Sequence, residues 1–337
     1  MIRAVGLTKR YGDRLAVDHA DFTVESGTVT GFLGPNGAGK STTMRMILGL
    51  DHPTAGTVTV SGRPYRQLPA PLREVGALLD AKAVHGGRSA YNHLACLATS
   101  NRIPLKRVDE VISLVGLDRV AKKRSKSFSL GMGQRLGIAA ALLGDPGTLL
   151  FDEPVNGLDP EGILWVRNLM KSLAAQGRTV FVSSHLMSEM ALTADRVIVI
   201  GRGEIKADTT MREFIAQNAS THVRVRSPHL GKLHELMTGT GWQVEAAPDD
   251  EDALRVYDVT SDAVGELAGQ NGLWLHELAV VQPSLEEAFM SMTADSVEYH
   301  AGLGGMEPGA SGGSGTDPGA ATNTAVAQPG RPNGEAR

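Results

Sequence analysis

The sequence predicts an α/β domain over residues 1–217, a small α+β domain over residues 218–300 and a disordered tail over residues 301–337. In the first part, short apolar segments alternate with helical patterns. A strand–helix order of βαββαβ follows, and the composition changes after about residue 300. The tail is rich in glycine, alanine and proline and contains no aromatic residue, so it cannot bury enough apolar surface to offset its ordering entropy.

Four short, continuously apolar segments of the first domain are typical of buried parallel strands. Helical patterns lie between them, and turns that contain glycine or proline separate the elements. The predicted strands are residues 29–33, 148–151, 179–183 and 197–200, and the predicted helices are residues 40–48, 130–143 and 162–175. This alternation indicates α/β architecture.

Residues 221–281 show a different order of predicted strands and helices. This order, βαββαβ, is that of a ferredoxin-like unit. Acidic residues 249–252 are expected at the turn of its hairpin. The sequence leaves open which domain a helix over residues 284–292 packs against. Scattered histidines favour surface or packing roles over a metal site, and they are His222, His229, His234 and His276.

Bulk properties exclude several classes of protein. The hydrophobic content of 42% is typical of a soluble globular protein, and the net charge of −4 gives no electrostatic case for a nucleic acid partner. Cys96 is the single cysteine, so no intramolecular disulfide can form. The first residues lack the apolar segment of a signal peptide, and no run of about 18 apolar residues occurs, so we expect no membrane-spanning segment.

A glycine-rich loop lies between the first predicted strand and the first predicted helix. It fits the pattern G-x-x-x-x-G-K-[ST], which cradles phosphates with backbone N–H groups and the positive end of a helix. Lys40 is expected to bridge phosphate oxygens, and the Ser41 hydroxyl to bind Mg²⁺. The alternative to phosphate binding is a purely structural helix cap that is rich in glycine. A cap requires neither the lysine nor this glycine spacing. The predicted phosphate-binding residues are Gly34, Pro35, Asn36, Gly37, Ala38, Gly39, Lys40, Ser41 and Thr42.

Two adjacent acids follow the apolar segment "TLLF". Asp152 is expected to hold Mg²⁺ through a water, and Glu153 to polarise an attacking water. Adjacent acids after a strand are a weak signal alone and usually form a solvated turn. Beside a phosphate loop, the catalytic interpretation is the better one.

The segments "GPNGAGKST" and "FDEPVNGLDP" together resemble the ATP-binding subunits of ABC transporters. The resemblance covers residues 1–217 and implies a mixed sheet with a helical subdomain. Drug-resistance exporters of the daunorubicin-resistance type look most similar, because they also carry an additional C-terminal domain.

The resemblance implies roles for three further residues. Tyr11 in "KRYG" matches an aromatic residue that stacks on adenine. His185 in "VFVSSH" matches a histidine that contacts the γ-phosphate, so that Lys40, Glu153 and His185 form the catalytic set. Asp159 in "NGLDP" matches a loop that couples two nucleotide sites across a dimer.

The sequence departs from the family at two motifs. The signature usually written L-S-G-G-Q is replaced by "FSLGM", in which Ser129 can still cap a helix and Leu130 keeps the backbone N–H. The resemblance assigns Ser129 and Gly131 to the γ-phosphate of a second copy. Asp80 stands where the family usually has a glutamine, and it is assigned to Mg²⁺ or to the water. Residues 81–97 match the segment that contacts the membrane partner.

The resemblance implies a peripheral subunit at the cytoplasmic face of the membrane that binds ATP and Mg²⁺ and hydrolyses ATP. Its expected partners are a separate multi-span membrane permease and a second ATP-binding subunit in a homodimer, with no nucleic acid. Export of a drug or other amphiphile is the favoured function. The alternatives are a soluble ABC-type ATPase acting on ribosomes or DNA, and a nucleotide sensor that does not hydrolyse ATP.

Overall fold

The computed structural model describes residues 1–80, 83–218, 220–247, 249–282 and 284–293. The predicted tail over residues 301–337 lies outside this part of the chain. The strands are β1 Ile2–Tyr11, β2 Arg14–Val24, β3 Val29–Leu33, β4 Ala55–Val60, β5 Val75–Leu78, β6 Thr148–Asp152, β7 Thr179–Ser183, β8 Arg196–Gly201, β9 Glu204–Thr210, β10 His222–Arg226, β11 Gln243–Ala246, β12 Ala253–Tyr257 and β13 Glu277–Val281. The α-helices are α1 Lys40–Ile47, α2 Pro71–Glu74, α3 Ala90–Ser100, α4 Lys106–Leu114, α5 Leu130–Leu142, α6 Pro160–Ala175, α7 Met187–Thr193, α8 Met211–Asn218, α9 Leu230–Gly239, α10 Ser261–Gln270 and α11 Leu285–Thr293.

A six-stranded sheet carries the predicted strands and runs in the order β5-β6-β7-β3-β8-β9. All neighbours in it are parallel except β8 and β9, which pair antiparallel. Every residue of β3 and β7 is buried, as expected for strands covered on both faces. The predicted α/β architecture is confirmed, and the carboxyl ends of β3 and β6 meet at the same edge of the sheet.

A separate antiparallel sheet of order β2-β1-β4 packs against this layer, and the strand predictions above do not include it. Its core contact is aromatic: Phe22 of β2 lies 6.1 Å from both Phe32 of β3 and Phe181 of β7, centroid to centroid. Helix α1 lies in the same core through Met44 and Ile47. The sheet therefore places the end of β1 beside the start of α1.

The helices α3, α4 and α5 pack together through buried aliphatic residues such as Leu94, Val111 and Ile138. Helix α5 packs on β5, where a Cβ atom on Gly137 would lie 2.5 Å from the side chain of Leu78. The predicted helical subdomain is thereby present and is joined to the edge of the main sheet. Within the described residues, we find no helix long and apolar enough to cross a bilayer.

The predicted βαββαβ unit forms a four-stranded antiparallel sheet of order β11-β12-β10-β13. This order confirms the ferredoxin-like arrangement. Val223, Val225 and Val256 face helices α9 and α10 in a core of their own. Asp249 and Asp250 of the hairpin turn pair with Arg224 of β10, at 2.8 and 3.0 Å.

Helix α11 packs back against α8 and α7 rather than joining the core of the ferredoxin-like unit. Leu285, Ala288 and Phe289 are buried in the same cluster as Phe214 of α8. One ion pair also joins it to the small sheet, because Arg255 of β12 lies 3.3 Å from Glu287. The boundary between residues 217 and 218 stays a prediction.

Candidate nucleotide site

The loop after β3 closes tightly because its first and last glycines have no room for a side chain. A Cβ atom on Gly34 would lie 2.4 Å from the carbonyl oxygen of Ile200, and one on Gly39 would lie 2.5 Å from that of Ala16. Gly39 also has a φ of 109°, which L-residues with a side chain rarely adopt. The glycines thus join β3 to α1 in a compact loop, as phosphate binding by backbone N–H groups requires.

The side chain of Lys40 is buried and folds back over this loop. Its Nζ donates to the carbonyl oxygens of Gly34 and Pro35, at 2.5 and 3.2 Å. Burial lowers the pKa of Lys40, and the nearby carboxylates of Glu153 and Asp152 oppose that shift. The arrangement holds an ammonium group against the loop, where a phosphate oxygen could replace the carbonyls as its partner.

Ser41 and Asp152 meet although 111 residues separate them. The Ser41 hydroxyl donates to Oδ2 of Asp152 at 2.8 Å, and the Ser183 hydroxyl donates to Oδ1 at 2.5 Å. A hydroxyl beside a carboxylate is a pair of hard oxygen ligands that suits Mg²⁺, which commonly uses one or two protein carboxylates together with substrate phosphates. In the described part of the chain, no group of three or more metal-ligating side chains occurs, and this kind of site does not need one.

Glu153 is fixed by contacts from two other elements. Its backbone has a φ of 52°, and its N–H donates to the carbonyl oxygen and the hydroxyl of Ser183, at 3.2 and 3.1 Å. Gln134 of α5 donates to its carbonyl oxygen at 3.0 Å. His185 holds the carboxylate through its backbone N–H at 3.3 Å and its Nδ1 at 2.8 Å.

A single cavity of about 450 Å³ joins the phosphate loop, the acid pair and Tyr11. Gly34 and Ala38 are buried and are not among the wall residues. The wall consists of Tyr11, Arg14, Ala16, Pro35, Asn36, Gly37, Gly39, Lys40, Ser41, Thr42, Leu79, Asp152 and Glu153. The structure therefore brings most of the sequence-predicted site residues to one place.

Besides Gly34, Ala38 and His185, which contacts Glu153, four predicted residues are outside the wall. Ser129 caps α5 by accepting from the N–H of Met132 at 3.2 Å, and Asp159 caps α6 by accepting from Gly162 at 2.9 Å. A Cβ atom on Gly131 would lie 3.2 Å from the carbonyl oxygen of Gly157, so the Ser129 and Asp159 segments touch each other. Asp80 is exposed directly after the wall residue Leu79. None of these four residues is among those that line the cavity.

Several residues at the site were not predicted from the sequence. Arg14 and Ala16 line the cavity from the start of β2, and Ser183 and Gln134 orient the acid pair. A signal for Arg14 and Ala16 was their position just after Tyr11, in the segment "YGDRLA". No local pattern marks Ser183 or Gln134, because their partners Asp152 and Glu153 lie 31 and 19 residues away along the chain.

Comparisons with known proteins agree with this geometry. A family model described as ABC transporter matches residues 17–156, and one described as a domain of unknown function matches residues 221–286. The uncharacterized ABC transporter ATP-binding protein YhcH of Bacillus subtilis is 35% identical over 301 residues, or 87% of this chain and 95% of the relative. The bacitracin transport ATP-binding protein BcrA of Bacillus licheniformis is 35% identical, over 87% of this chain and 97% of the relative.

A relative of the daunorubicin type and two solved structures complete the comparison. The daunorubicin resistance ATP-binding protein DrrA3 of Streptomyces coeruleorubidus is 32% identical over 86% of this chain and 95% of the relative. An ATP-binding subunit of an ABC transporter has a TM-score of 0.60 at 25% identity, covering 64% of this chain and 92% of that structure. A dimeric ATP-binding cassette in a post-hydrolysis state, bound to ADP and Pi, has a TM-score of 0.57 at 25% identity, covering 63% and 99%.

The fold and the site define an ATPase with a phosphate-binding loop. Similarity to YhcH and BcrA over 87% of the chain then shows that the chain belongs to the ATP-binding subunits of ABC transporters, which bind and hydrolyse ATP.

Proposed function

We propose that this chain binds ATP together with Mg²⁺ and hydrolyses the ATP to power export through a separate membrane-spanning chain. The observation that carries the proposal is the cavity wall, in which the phosphate loop, Asp152 and Glu153 face the same space. Tyr11 at the same wall supplies an aromatic surface for the adenine base.

Lys40, Ser41 and Asp152 bind the charged end of the nucleotide. The ammonium group of Lys40 exchanges its two carbonyl partners for oxygens of the β- and γ-phosphates. Ser41 and Asp152 hold Mg²⁺, which neutralises part of the phosphate charge. Asp80, the residue after the wall residue Leu79, is proposed to reach the same ion or the attacking water.

Glu153 is proposed as the general base. Its carboxylate takes a proton from water as the water oxygen bonds to the γ-phosphorus and the bond to the leaving ADP oxygen breaks. His185 positions the carboxylate through Nδ1 and is proposed to contact the γ-phosphate.

A second copy of the chain is proposed to complete each site. Ser129 is exposed at the N-terminus of α5, and its N-cap geometry presents a hydroxyl and a helix dipole to a partner molecule. The cavity of the same chain is not lined by Ser129, Gly131 or Asp159. This is consistent with contacts from these residues to the nucleotide site of the other copy. The dimeric cassette among the structural relatives supports a homodimer.

The names of two relatives support an export role. BcrA is a bacitracin transport protein and DrrA3 is a daunorubicin resistance protein. We therefore propose that this chain acts at the cytoplasmic face of the membrane with a multi-span permease that selects a drug or other amphiphile. Nothing in the comparisons supports a role on ribosomes or DNA, or as a nucleotide sensor that does not hydrolyse ATP.

Affinity purification from detergent-solubilised membranes tests this function. We expect a hydrophobic multi-span protein to co-purify, and the complex to release phosphate from ATP in the presence of Mg²⁺. The Glu153→Gln variant is the control, because it should capture the same partner with little phosphate release. A wild-type chain that captures no membrane protein, or that hydrolyses no ATP in the complex, would contradict the proposal.

A further inference from the structure

The ring of Tyr11 is exposed but its hydroxyl is anchored. The residue is 46% exposed, which by itself would leave the orientation of its ring free. The hydroxyl lies 2.8 Å from Oδ2 of Asp51, a residue in the segment that follows α1. An aromatic ring must hold one plane to stack well on a base, so this anchor bears on nucleotide recognition.

Asp51 is in turn held by the helix that begins at the phosphate loop. Arg45 of α1 donates to both carboxylate oxygens, with Nε 2.8 Å from Oδ2 and Nη2 3.2 Å from Oδ1. Such a bidentate contact fixes the orientation of the Asp51 carboxylate as well as its distance from Arg45. The guanidinium of Arg45 holds the pKa of Asp51 at about 2, and the Tyr11 hydroxyl acts in the same direction. Asp51 is therefore an ionised acceptor across the physiological pH range.

One face of the Tyr11 ring is already covered. The Nζ of Lys9 lies 4.8 Å from the ring centroid and also donates to the carbonyl oxygen of His52 at 2.7 Å. Tyr11 and Thr42 line the nucleotide cavity, whereas Lys9 does not. The ammonium group thus covers one face of the ring. We assign the opposite face to the base, because Tyr11 lines the cavity and Lys9 does not.

We propose that Asp51, clamped by Arg45, is a positioning residue that fixes the plane of Tyr11 for stacking on the base of the nucleotide. The inference rests on the proposed function, in which Tyr11 stacks on adenine. Arg45 and Lys40 belong to the same helix. The contacts to the base and to the phosphates are therefore both set by α1, and recognition of the base depends on a carboxylate that does not touch it.

Calorimetry with two ligands tests this inference. ATP uses both the base and the phosphate contacts, whereas inorganic triphosphate uses the phosphate contacts alone, and both are measured with Mg²⁺. For Asp51→Ala we expect ATP to bind about 3- to 30-fold more weakly, with the affinity for triphosphate unchanged. Tyr11→Phe, which keeps the ring and loses the hydroxyl, should produce the same loss. The double variant should be no weaker than Tyr11→Phe alone, because the contact that Asp51→Ala removes is also removed by Tyr11→Phe.

A matched control variant and a conservative substitution distinguish loss of Tyr11 positioning from a general loss of structure. Asp21 of β2 accepts from the N–H of Gly6 at 2.8 Å and is outside the cavity wall, so Asp21→Ala should leave the ratio of the two affinities unchanged. Asp51→Asn keeps an acceptor for Tyr11 and loses the charge that Arg45 binds. Its affinity for ATP relative to triphosphate should therefore fall between those of the wild type and Asp51→Ala.

The outcomes distinguish this inference from the proposed function. If Tyr11→Ala weakens ATP binding while Asp51→Ala and Tyr11→Phe do not, the positioning role of Asp51 is wrong and the stacking role of Tyr11 stands. If Tyr11→Ala has no effect on ATP binding, both roles fail. A well-folded wild type that binds neither ligand would overturn the nucleotide site itself.

Discussion

The Nδ1 atom of His185 lies 2.8 Å from Oε2 of Glu153, and the backbone N–H of His185 donates to the same oxygen. Both contacts come from the segment that follows β7, whereas Glu153 follows β6. The parallel pairing of these two strands therefore sets the direction of the carboxylate. With Nδ1 directed at Glu153, Nε2 is the ring nitrogen that remains for contact with a phosphate oxygen.

Replacing Glu153 by glutamine should abolish most hydrolysis and leave ATP binding intact. The amide keeps the size of the side chain but cannot accept a proton, and a positioned base contributes about 10²–10⁴-fold in rate. Phosphate release under saturating ATP and Mg²⁺ measures the loss, and calorimetry measures the affinity. Glu110→Gln on α4, outside the cavity wall, is the control and should retain the wild-type rate. Wild-type hydrolysis by Glu153→Gln would remove this residue from the mechanism.

Two substitutions at His185 distinguish the contact of Nδ1 with Glu153 from the proposed contact of Nε2 with the phosphate. Asparagine places an amide near the position of Nδ1, so it can still donate to Glu153, whereas glutamine reaches toward the position of Nε2. If positioning of Glu153 dominates, His185→Asn should keep more activity than His185→Gln, with similar affinities for ATP in both. The initial rate of phosphate release at saturating ATP decides the order. The opposite order would assign the main role of His185 to its Nε2 contact.

The contiguous parts of the site could be predicted from the sequence, and the parts assembled from distant segments could not. Residues 34–42 carry their own signal, since Gly34, Gly39 and Lys40 fall in one short motif. The contact between Ser183 and Asp152 arises from strand pairing, which leaves no local pattern. The antiparallel sheet was missed for a related reason: register shifts in β1 between Ala4 and Arg10 interrupt the alternation that marks a strand.

A side chain at Gly39 should damage the phosphate loop more than the same change at an unconstrained glycine. In Gly39→Ala the new methyl would lie 2.5 Å from the carbonyl oxygen of Ala16, at a φ of 109°. Gly177→Ala is the matched control, because Gly177 has a φ of 84° and no atom within 4 Å of the added Cβ. The control should lose about 1–2 kcal/mol of unfolding free energy and keep ATP binding. Gly39→Ala should lose more stability and most of its affinity, as measured by urea unfolding and calorimetry.

The ion pair of Asp51 and Arg45 predicts a pH-dependent contribution to stability. The pKa of Asp51 is about 2 in the folded protein, below its ordinary value near 3.9 in the unfolded chain. The contribution is therefore fully present above about pH 4 and is lost as the pH falls toward about 2. The difference in urea midpoint between the wild type and Asp51→Asn should shrink from about pH 6 to about pH 3. The same difference measured in an Arg45→Gln background should be smaller and vary less with pH.

Ser129 offers a change that separates its role as a helix cap from its proposed role at the partner's phosphate. Aspartate caps a helix as well as serine does, so Ser129→Asp should change the unfolding free energy by no more than about 0.5 kcal/mol. Its carboxylate would face the γ-phosphate of the second copy, and like charges repel. In a Glu153→Gln background, where ATP should hold the dimer together, light scattering should show ATP-driven dimers that Ser129→Asp abolishes. Ser89→Asp makes the same change at the cap of α3, where Ser89 accepts from Asn92 at 3.1 Å, and should leave the dimer intact. Dimers that form equally well with Asp at position 129 would place the γ-phosphate away from this helix end.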